Sequence, residues 1–188
     1  MSFFRHKSQL KKDDYYPCYL SLIDIRERLP VADPSNLKVL NVGVGEGNSG
    51  LARQLPFLKF RQLDHIDIHQ PYLDAAKLKT WLSLETNFIK ADIRDYDTAG
   101  YDLVLMFDVL EHLKKEESLA ILDRIKTHQI IFIPLEKEFR ENTFGAESQD
   151  HLSLWTEQDF GQRYYKTEIL YAFHSDAKNI WDALWAVK

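Results

Sequence analysis

The sequence predicts an α/β protein in which a mostly parallel sheet is covered by helices on both faces. Two segments, Tyr101–Phe107 and Gln129–Leu135, are largely continuous apolar runs, and such runs are typical of strands buried on both faces. A third apolar run begins at Leu37 and ends in closely spaced glycines, as strands do where a nucleotide-like ligand approaches the backbone. Segments with helical spacing separate these runs, which favours parallel strands joined by helices.

The composition favours one globular unit and excludes several function classes. The 188 residues include 45% hydrophobic and 13% aromatic residues, which is enough for a buried core. The net charge of −5 disfavours a long polyanion such as nucleic acid as a substrate. Cys18 is the only cysteine, so an intrachain disulfide is excluded, no metal site is predicted, and we expect a cytoplasmic protein.

The N-terminal segment predicts a helical extension. Arg5, His6 and Lys7 interrupt the apolar start before a signal-like core can form, and no later apolar run is long enough to span a bilayer. Apolar residues follow helical spacing from Tyr19 to Leu29, after which prolines end the helix. We therefore predict an N-terminal helical extension, residues 1–36, packed on one globular domain formed by residues 37–188.

Five strands and three helices are predicted to alternate in the first part of that domain. The predicted strands are Val39–Val42, Leu63–Asp67, Asn87–Ala91, Tyr101–Phe107 and Gln129–Leu135. The predicted helices lie around Leu51–Leu55, over Tyr72–Trp81 and between Leu113 and Ile125. This alternation is the pattern of a parallel sheet with crossover helices.

The last part of the chain does not continue this alternation of strands and helices. The segment Glu136–His151 is polar without a regular period, which predicts a long loop at the carboxyl edge of the sheet, where loops tend to carry function. A capping box at Thr156 and Asp159, with Trp155 and Phe160 as a hydrophobic staple, predicts the start of a helix. Two further β-like runs, separated by a turn-prone segment, predict an antiparallel hairpin, Thr167–Phe173 with Ile180–Val187.

The glycines after the first strand allow two ligand classes. Gly45, Gly47 and Gly50 match the spacing G-x-G-x-x-G of dinucleotide-binding proteins. In that fingerprint the first glycine belongs at the strand end, which is Gly43, and counting from there places Asn48 at the third glycine position. A dehydrogenase also needs a substrate-binding region for which this chain has little room. The dinucleotide interpretation is therefore disfavoured.

The alternative register, Gly43-Val44-Gly45-Glu46-Gly47, resembles motif I of the class I S-adenosylmethionine-dependent methyltransferases of the small-molecule type. The resemblance extends over most of the chain from Leu37 onward. It implies a Rossmann-like three-layer sandwich, with a seven-stranded, mostly parallel sheet that ends in the antiparallel hairpin. It also implies S-adenosyl-L-methionine as the cofactor and residues 37–188 as the domain that binds it.

The resemblance also assigns cofactor contacts. Asp67 ends the second predicted strand, where the family places an acid on the ribose hydroxyls, and Asp92 follows the third, near the adenine amine. Asn41 lies where the family usually has an acid near the methionine amino group, and this departure removes a countercharge. The full set of cofactor-binding residues that the resemblance implies is Asn41, Gly43, Gly45, Gly47, Asp67, Ile68, Asp92, Ile93, Phe107 and Asp108.

Three residues are candidates for a general base. His112 and Glu111 follow the fourth strand, and His151 precedes the capped helix; an imidazole pKa of about 6.5 suits proton transfer near neutral pH. His112 could equally be a surface residue, and Glu111 could stabilise a helix start without any chemistry. The family's Asn/Asp-Pro-Pro-aromatic tetrapeptide is absent, which argues against a DNA base as acceptor.

We therefore predict methyl transfer to a hydroxyl, amine or carbon acid of a small molecule. The acceptor is expected beneath the loop Glu136–His151, with aromatic contacts from Phe144 and Trp155. A second hypothesis, motivated by Asn41, is a module that binds S-adenosylmethionine or a partner without turnover. A third, an aminopropyltransferase on the same scaffold, is disfavoured because the acidic cluster expected for a polyamine is not obvious in the sequence.

Overall fold

Seven strands form a single sheet in the computed structural model, which describes residues 22–45, 54–79, 86–139, 150–163, 165–175 and 180–188. The strands are β1 (Lys38–Val42), β2 (Gln62–Asp67), β3 (Thr86–Lys90), β4 (Leu103–Phe107), β5 (His128–Leu135), β6 (Lys166–Ser175) and β7 (Ile180–Val187). Their order is β3-β2-β1-β4-β5-β7-β6. The first five pair in parallel, and β7 pairs antiparallel with both β5 and β6. The predicted α/β architecture and its C-terminal hairpin are confirmed.

Two apolar layers explain why the central strands show no polar alternation. Leu40, Val104 and Ile131 face one buried cluster, while their neighbours along the strands face a second cluster on the opposite side of the sheet. All five residues of β4 are buried. Because both faces of the sheet are covered, alternate positions are equally apolar, as the continuous runs in the sequence predict.

The α-helices are α1 (Leu22–Arg26), α2 (Gln70–Lys79), α3 (Lys115–Arg124) and α4 (Glu157–Gly161), and three short 3₁₀ helices cover Pro34–Asn36, Leu55–Leu58 and Leu110–His112. None of the helices within the described ranges has the length and hydropathy needed to cross a bilayer. In α1, Ile25 is fully buried in the same cluster as Leu55 and Phe60, so this part of the N-terminal extension packs on the core. The boundary between extension and domain stays a prediction.

The predicted helix start at Thr156 is confirmed. The Asp159 carboxylate accepts hydrogen bonds from the Thr156 backbone N–H at 2.8 Å and from its hydroxyl at 2.9 Å. The rings of Trp155 and Phe160 stack with centroids 5.1 Å apart, as a hydrophobic staple requires. The helix α4 then ends after five residues, at Gly161.

Two element predictions differ from the structure. The helix expected around Leu51–Leu55 falls partly on residues outside the described ranges, and Leu55–Leu58 forms a 3₁₀ turn that includes Pro56. Strand β4 begins at Leu103, two residues later than expected. Tyr101 precedes the strand, and its hydroxyl donates a 2.7 Å hydrogen bond to Asp64 on β2.

Candidate functional site at the carboxyl edge of the sheet

The glycine turn after β1 is held by the carboxylate of Asp67. Oδ2 of Asp67 accepts hydrogen bonds from the backbone N–H groups of Val44 at 3.0 Å and Gly45 at 3.2 Å, and Oδ1 accepts from the His69 N–H at 2.8 Å. Asp67 therefore contacts the glycine turn, as predicted. This carboxylate fixes the path of the backbone that leaves β1.

The backbone conformation favours glycine at both Gly43 and Gly45, and Gly43 has a second, steric reason. Both have positive φ angles, +72° and +59°, which favour glycine. A Cβ on Gly43 would lie 2.6 Å from Cγ2 of Val109, whereas a Cβ on Gly45 would meet no atom of the described residues within 4 Å. The turn is therefore closed on one side by Val109 and open at Gly45. Gly47 lies outside the described residues.

Asp92 lies at the same edge as Asp67. The backbone N–H of Ala91 donates to the Asp67 carbonyl at 3.1 Å, which brings the chain after β3 beside the end of β2. Arg94 binds the Asp92 carboxylate through Nε at 3.0 Å and Nη2 at 2.6 Å. These hydrogen bonds from Arg94 hold the pKa of Asp92 below its ordinary value. Asp92 is thus ionised and already paired.

The apolar members of the predicted cofactor set differ in exposure. Ile68 is 46% exposed beside Asp67, so its side chain is accessible at the edge of the cleft. Ile93 and Phe107 are 5% and 9% exposed and belong to the two core clusters. Phe107 packs edge-on against Trp185, with ring centroids 5.8 Å apart. These two offer a ligand only a small part of their surface.

Asn41 forms a buried pair with a histidine that the sequence analysis did not identify. Its side-chain Nδ2 donates to Nδ1 of His65 at 3.1 Å, and its Oδ1 is buried without a hydrogen-bond partner. The His65 ring stacks on Phe88, with centroids 5.0 Å apart. Burial lowers the pKa of His65 to about 4, so the ring is neutral at physiological pH. The alternation of β2 could have placed His65 on a buried face, but its partner could not be read from spacing.

Asp108 carries backbone strain at the end of β4. Its φ is +51°, in the left-handed region that Asp tolerates better than most residues, and its N–H donates to the Phe132 carbonyl at 3.0 Å. Part of the residue is exposed to solvent, while neighbouring protein atoms desolvate its carboxyl group. This desolvation raises the pKa of Asp108 to about 7; His151 opposes the shift and Glu136 adds to it.

Glu111 is the most buried acid at this edge. The residue is 1% exposed, and neither carboxylate oxygen has a hydrogen-bond partner among the described residues. Burial, with Asp108 as a further cause, raises the pKa of Glu111 well above its ordinary value. The Glu111 backbone carbonyl accepts from the N–H groups of Leu152 at 2.7 Å and Ser153 at 3.1 Å. These two bonds fix the segment that carries His151 against the segment that follows β4.

His112 and His151, predicted as separate candidates, lie together. Their rings meet edge to face, with centroids 4.8 Å apart. Nδ1 of His112 donates to the backbone carbonyl of Asp150 at 3.1 Å, and Nδ1 of His151 donates to the carboxylate of Glu136 at 2.5 Å. Glu136 was not predicted as a site residue. Its position directly after β5 follows the same rule that identified Asp67 and Asp92, and that rule could have found it.

The aromatic contacts predicted for the acceptor are not supported. Trp155 is 2% exposed; its indole N–H donates to the Ser153 hydroxyl at 2.9 Å, and the ammonium of Lys115 lies 3.7 Å from its ring centroid. The prediction that Trp155 contacts an acceptor is wrong, because the ring is needed to pack α4 on the core. Phe144 lies outside the described residues.

Comparisons with known proteins agree on the fold. Residues 39–128 match a family model described as a methyltransferase domain. Magnesium protoporphyrin IX methyltransferase from Synechocystis PCC 6803, with bound S-adenosylhomocysteine, is 19% identical with a TM-score of 0.57, over 83% of this chain and 76% of that chain. The N-methyltransferase NodS from Bradyrhizobium japonicum WM9, also with S-adenosylhomocysteine, is 16% identical with a TM-score of 0.57, over 81% of this chain and 77% of that chain.

A further similar structure has a different chemistry. The [4+2]-cyclase SpnF is 12% identical with a TM-score of 0.64, over 87% of this chain and 77% of that chain. No curated protein resembles the chain closely enough in sequence to be matched. At these identities the structural similarity establishes the fold, and the chemistry has to be argued from the residues at the carboxyl edge.

Proposed function

We propose that this chain, which has the class I S-adenosylmethionine-dependent methyltransferase fold and a methyltransferase domain over residues 39–128, methylates a nucleophile of a small molecule. The observation that carries the proposal is the junction between Asp67 and the glycine turn. It joins the two sequence features that the family uses for its cofactor at one edge of the sheet. Ligands of open parallel sheets bind at this edge.

The residues at the edge fit S-adenosylmethionine. No atom of the described residues lies within 4 Å of a Cβ position on Gly45, which leaves the backbone there accessible to an adenosyl group as far as these residues are concerned. The Asp67 carboxylate has acceptor capacity beyond its three backbone bonds, which suits the two ribose hydroxyls. The buried Oδ1 of Asn41 has no partner and can accept a hydrogen bond from the methionine amino group. Each fitting group lies on β1 or β2 or directly after them.

A histidine of this chain can take up the acceptor's proton. Bound S-adenosylmethionine supplies a methyl group that passes to the acceptor's lone pair as the carbon–sulfur bond breaks, leaving S-adenosylhomocysteine. His151 is oriented by Glu136, so that with Nδ1 protonated its Nε2 is available as a proton acceptor. Alignment and exclusion of water supply the remaining catalysis, as expected when the methyl donor is already activated.

The charges at the site support a neutral or cationic acceptor. Three carboxyl groups, those of Asp108, Glu111 and Glu136, interact with one another at this edge. The net charge of −5 disfavours a phosphate-rich acceptor, and Asp108 and Glu111, whose pKa values are raised, add to this effect only when they are ionised. We therefore propose an oxygen, nitrogen or carbon nucleophile on a small molecule. The single cysteine suits a reducing compartment, and we place the activity in the cytoplasm.

Calorimetry followed by product assay tests this function. We expect S-adenosylmethionine and S-adenosylhomocysteine to bind with one site per chain, and a panel of hydroxyl, amine and carbon-acid acceptors to yield a methylated product. Absence of binding by both compounds would contradict the proposal. Binding without any turnover would favour the second candidate, a non-catalytic binding module, which Asn41 favours because it lacks the negative charge usual at its position.

A further inference from the structure

Glu111 presents a carboxyl group for which the described part of the protein supplies no partner. The residue is 1% exposed, and both side-chain oxygens are buried without a hydrogen bond. A carboxylate in this position costs several kcal/mol unless a proton or a cation neutralises it. Asp150, close in the structure through its carbonyl contact with His112, likewise has a buried carboxylate oxygen without a partner. Glu111 therefore needs either a proton or a cation at its carboxyl group.

Two imidazoles lie next to Glu111. A ligand atom of each of Glu111, His112 and His151 lies within 4.8 Å of the corresponding atoms of the other two. The side chain of His151 is 11% exposed. The two backbone hydrogen bonds to the Glu111 carbonyl hold the His151 segment in this arrangement. The fold thus brings His151 to the adjacent residues Glu111 and His112, so that three possible donors lie close together.

The outer partners of both imidazoles match those of metal-binding histidines. A histidine that binds a metal usually donates its other ring N–H to a carboxylate or a backbone carbonyl, which fixes its tautomer and orientation. His151 donates from Nδ1 to the Glu136 carboxylate, and His112 donates from Nδ1 to the Asp150 carbonyl. Each neutral ring therefore carries its lone pair on Nε2, the atom that would bind a metal.

From this arrangement we propose that Glu111, His112 and His151 bind one divalent transition-metal ion. Two imidazole nitrogens and one carboxylate are a ligand set typical of Zn²⁺ and related first-row ions, whereas Mg²⁺ and Ca²⁺ prefer oxygen ligands. Ligands bound at about 2.1 Å from a metal lie about 3.4 Å apart, so donors within 4.8 Å of one another close by at most about 1.4 Å on binding. Side-chain rotation about the Glu111 and imidazole bonds provides this movement. Three protein ligands leave a coordination position open.

The proposed metal site does not depend on the proposed function. A role of the metal ion in the reaction does depend on it. The site lies at the edge where the acceptor is expected, so its open position favours an acceptor with an oxygen donor. With the metal bound, the two imidazoles act as ligands instead of proton acceptors. The sequence analysis predicted no metal site because the three ligands have no recognisable spacing: two are adjacent and the third is 39 residues further on.

Titration of chelator-treated protein with Zn²⁺ tests the site directly, without S-adenosylmethionine. We expect one equivalent to bind, and Co²⁺ in its place to give the visible absorption of a site with nitrogen and oxygen ligands. Glu111→Gln should weaken Zn²⁺ binding by at least about 100-fold, and Glu136→Gln by about 10–100-fold, because it removes the carboxylate that orients His151. The matched control is Glu116→Gln, an exposed position on α3, which should leave Zn²⁺ binding unchanged.

Circular dichroism and thermal unfolding verify that each variant is folded. If Glu111→Gln fails to fold, His112→Gln provides the same test at a less buried ligand. Absence of stoichiometric Zn²⁺ binding by the folded wild-type protein would overturn the proposal, as would equal affinity in a folded ligand variant. Calorimetry with S-adenosylhomocysteine on the same samples separates the two proposals. If the wild-type protein binds this compound but not Zn²⁺, the metal site is overturned and the proposed function is unaffected.

Discussion

The Oδ2 atom of Asp67 lies 3.2 Å from the backbone nitrogen of Gly45 and accepts its hydrogen bond. This contact joins the end of β2 to the turn that leaves β1, two segments separated by 22 residues. The hydrogen bond connects the acid at the end of β2 to the glycine turn after β1, two features that were identified separately in the sequence. The same carboxylate therefore serves the stability of the turn and, on the proposed function, recognition of the ribose.

Replacement of Asp67 by Asn should weaken both roles. The amide offers one acceptor oxygen where the carboxylate offers two, and its NH₂ group faces backbone N–H donors. We expect a loss of about 1–3 kcal/mol in the free energy of unfolding and binding of S-adenosylhomocysteine weaker by at least about tenfold. Denaturant unfolding and calorimetry measure the two effects. Asp74→Asn, at an exposed position on α2, is the control and should change neither.

Replacement of Gly43 by Ala should destabilise the turn. The new Cβ would lie 2.6 Å from the Val109 side chain and adopt a φ of +72°, with an expected cost of about 2–4 kcal/mol in the free energy of unfolding. Gly100→Ala isolates the backbone effect, because its φ is +84° but its Cβ meets nothing within 4 Å; its expected cost is about 1–2 kcal/mol. Equal losses for the two variants would show that Val109 does not close the turn.

The fold was predictable because its signals are local. The apolar runs of β4 and β5 and the capping box at Thr156 depend on neighbouring residues, and their predictions are confirmed. Trp155 was assigned to the acceptor because an aromatic residue at a loop end can line a cleft or pack a core. The stacking with Phe160 confirms the staple that the sequence predicted and shows that Trp155 packs in the core.

His65 should make the stability of the protein depend on pH between about 6.5 and 4. Burial lowers its pKa to about 4 in the folded state, while the unfolded chain has a histidine pKa of about 6.5. As the pH falls through this range, the unfolded state binds a proton that the folded state does not, so stability decreases. We expect a loss of about 2 kcal/mol from this residue between about pH 7 and pH 5, measured by urea unfolding.

Two variants attribute this pH dependence to His65. His65→Gln should be less stable than wild type near neutral pH, because the stacking on Phe88 is lost, but should show a smaller loss on acidification. His128→Gln, at an exposed position, should retain the wild-type loss. A loss in His65→Gln as large as in the wild type would contradict the assignment of this pH dependence to the buried ring.

His151→Gln should slow methyl transfer without affecting cofactor binding. Removal of the ring that accepts the proton is expected to lower kcat by about 10²–10⁴-fold, with the affinity for S-adenosylhomocysteine unchanged. The assay uses metal-free protein, because a metal ion bound to Nε2 of His151 would occupy the lone pair that accepts the proton. Glu136→Gln should show a smaller decrease because it only releases the orientation of the ring. Unchanged kcat in both variants, with chemistry limiting the rate, would exclude His151 as the base.

The site was only partly predictable because its decisive contacts join distant segments. Asp67 was found from its position at a strand end, and the same reasoning applied to β5 would have found Glu136. The pairing of Asn41 with His65 joins different strands, and the approach of His151 to Glu111 depends on backbone bonds at the far end of a loop. Such contacts follow from strand order and register, which one sequence does not encode in its local spacing.

A crystal structure of the protein with S-adenosylhomocysteine would show whether the glycine turn and Asp67 bind the cofactor. We predict the adenosyl group beside the glycine turn, with the ribose hydroxyls within hydrogen-bond distance of the Asp67 carboxylate. Density for the ligand at another place, or a cleft at Gly45 that stays empty at saturating ligand concentration, would contradict it.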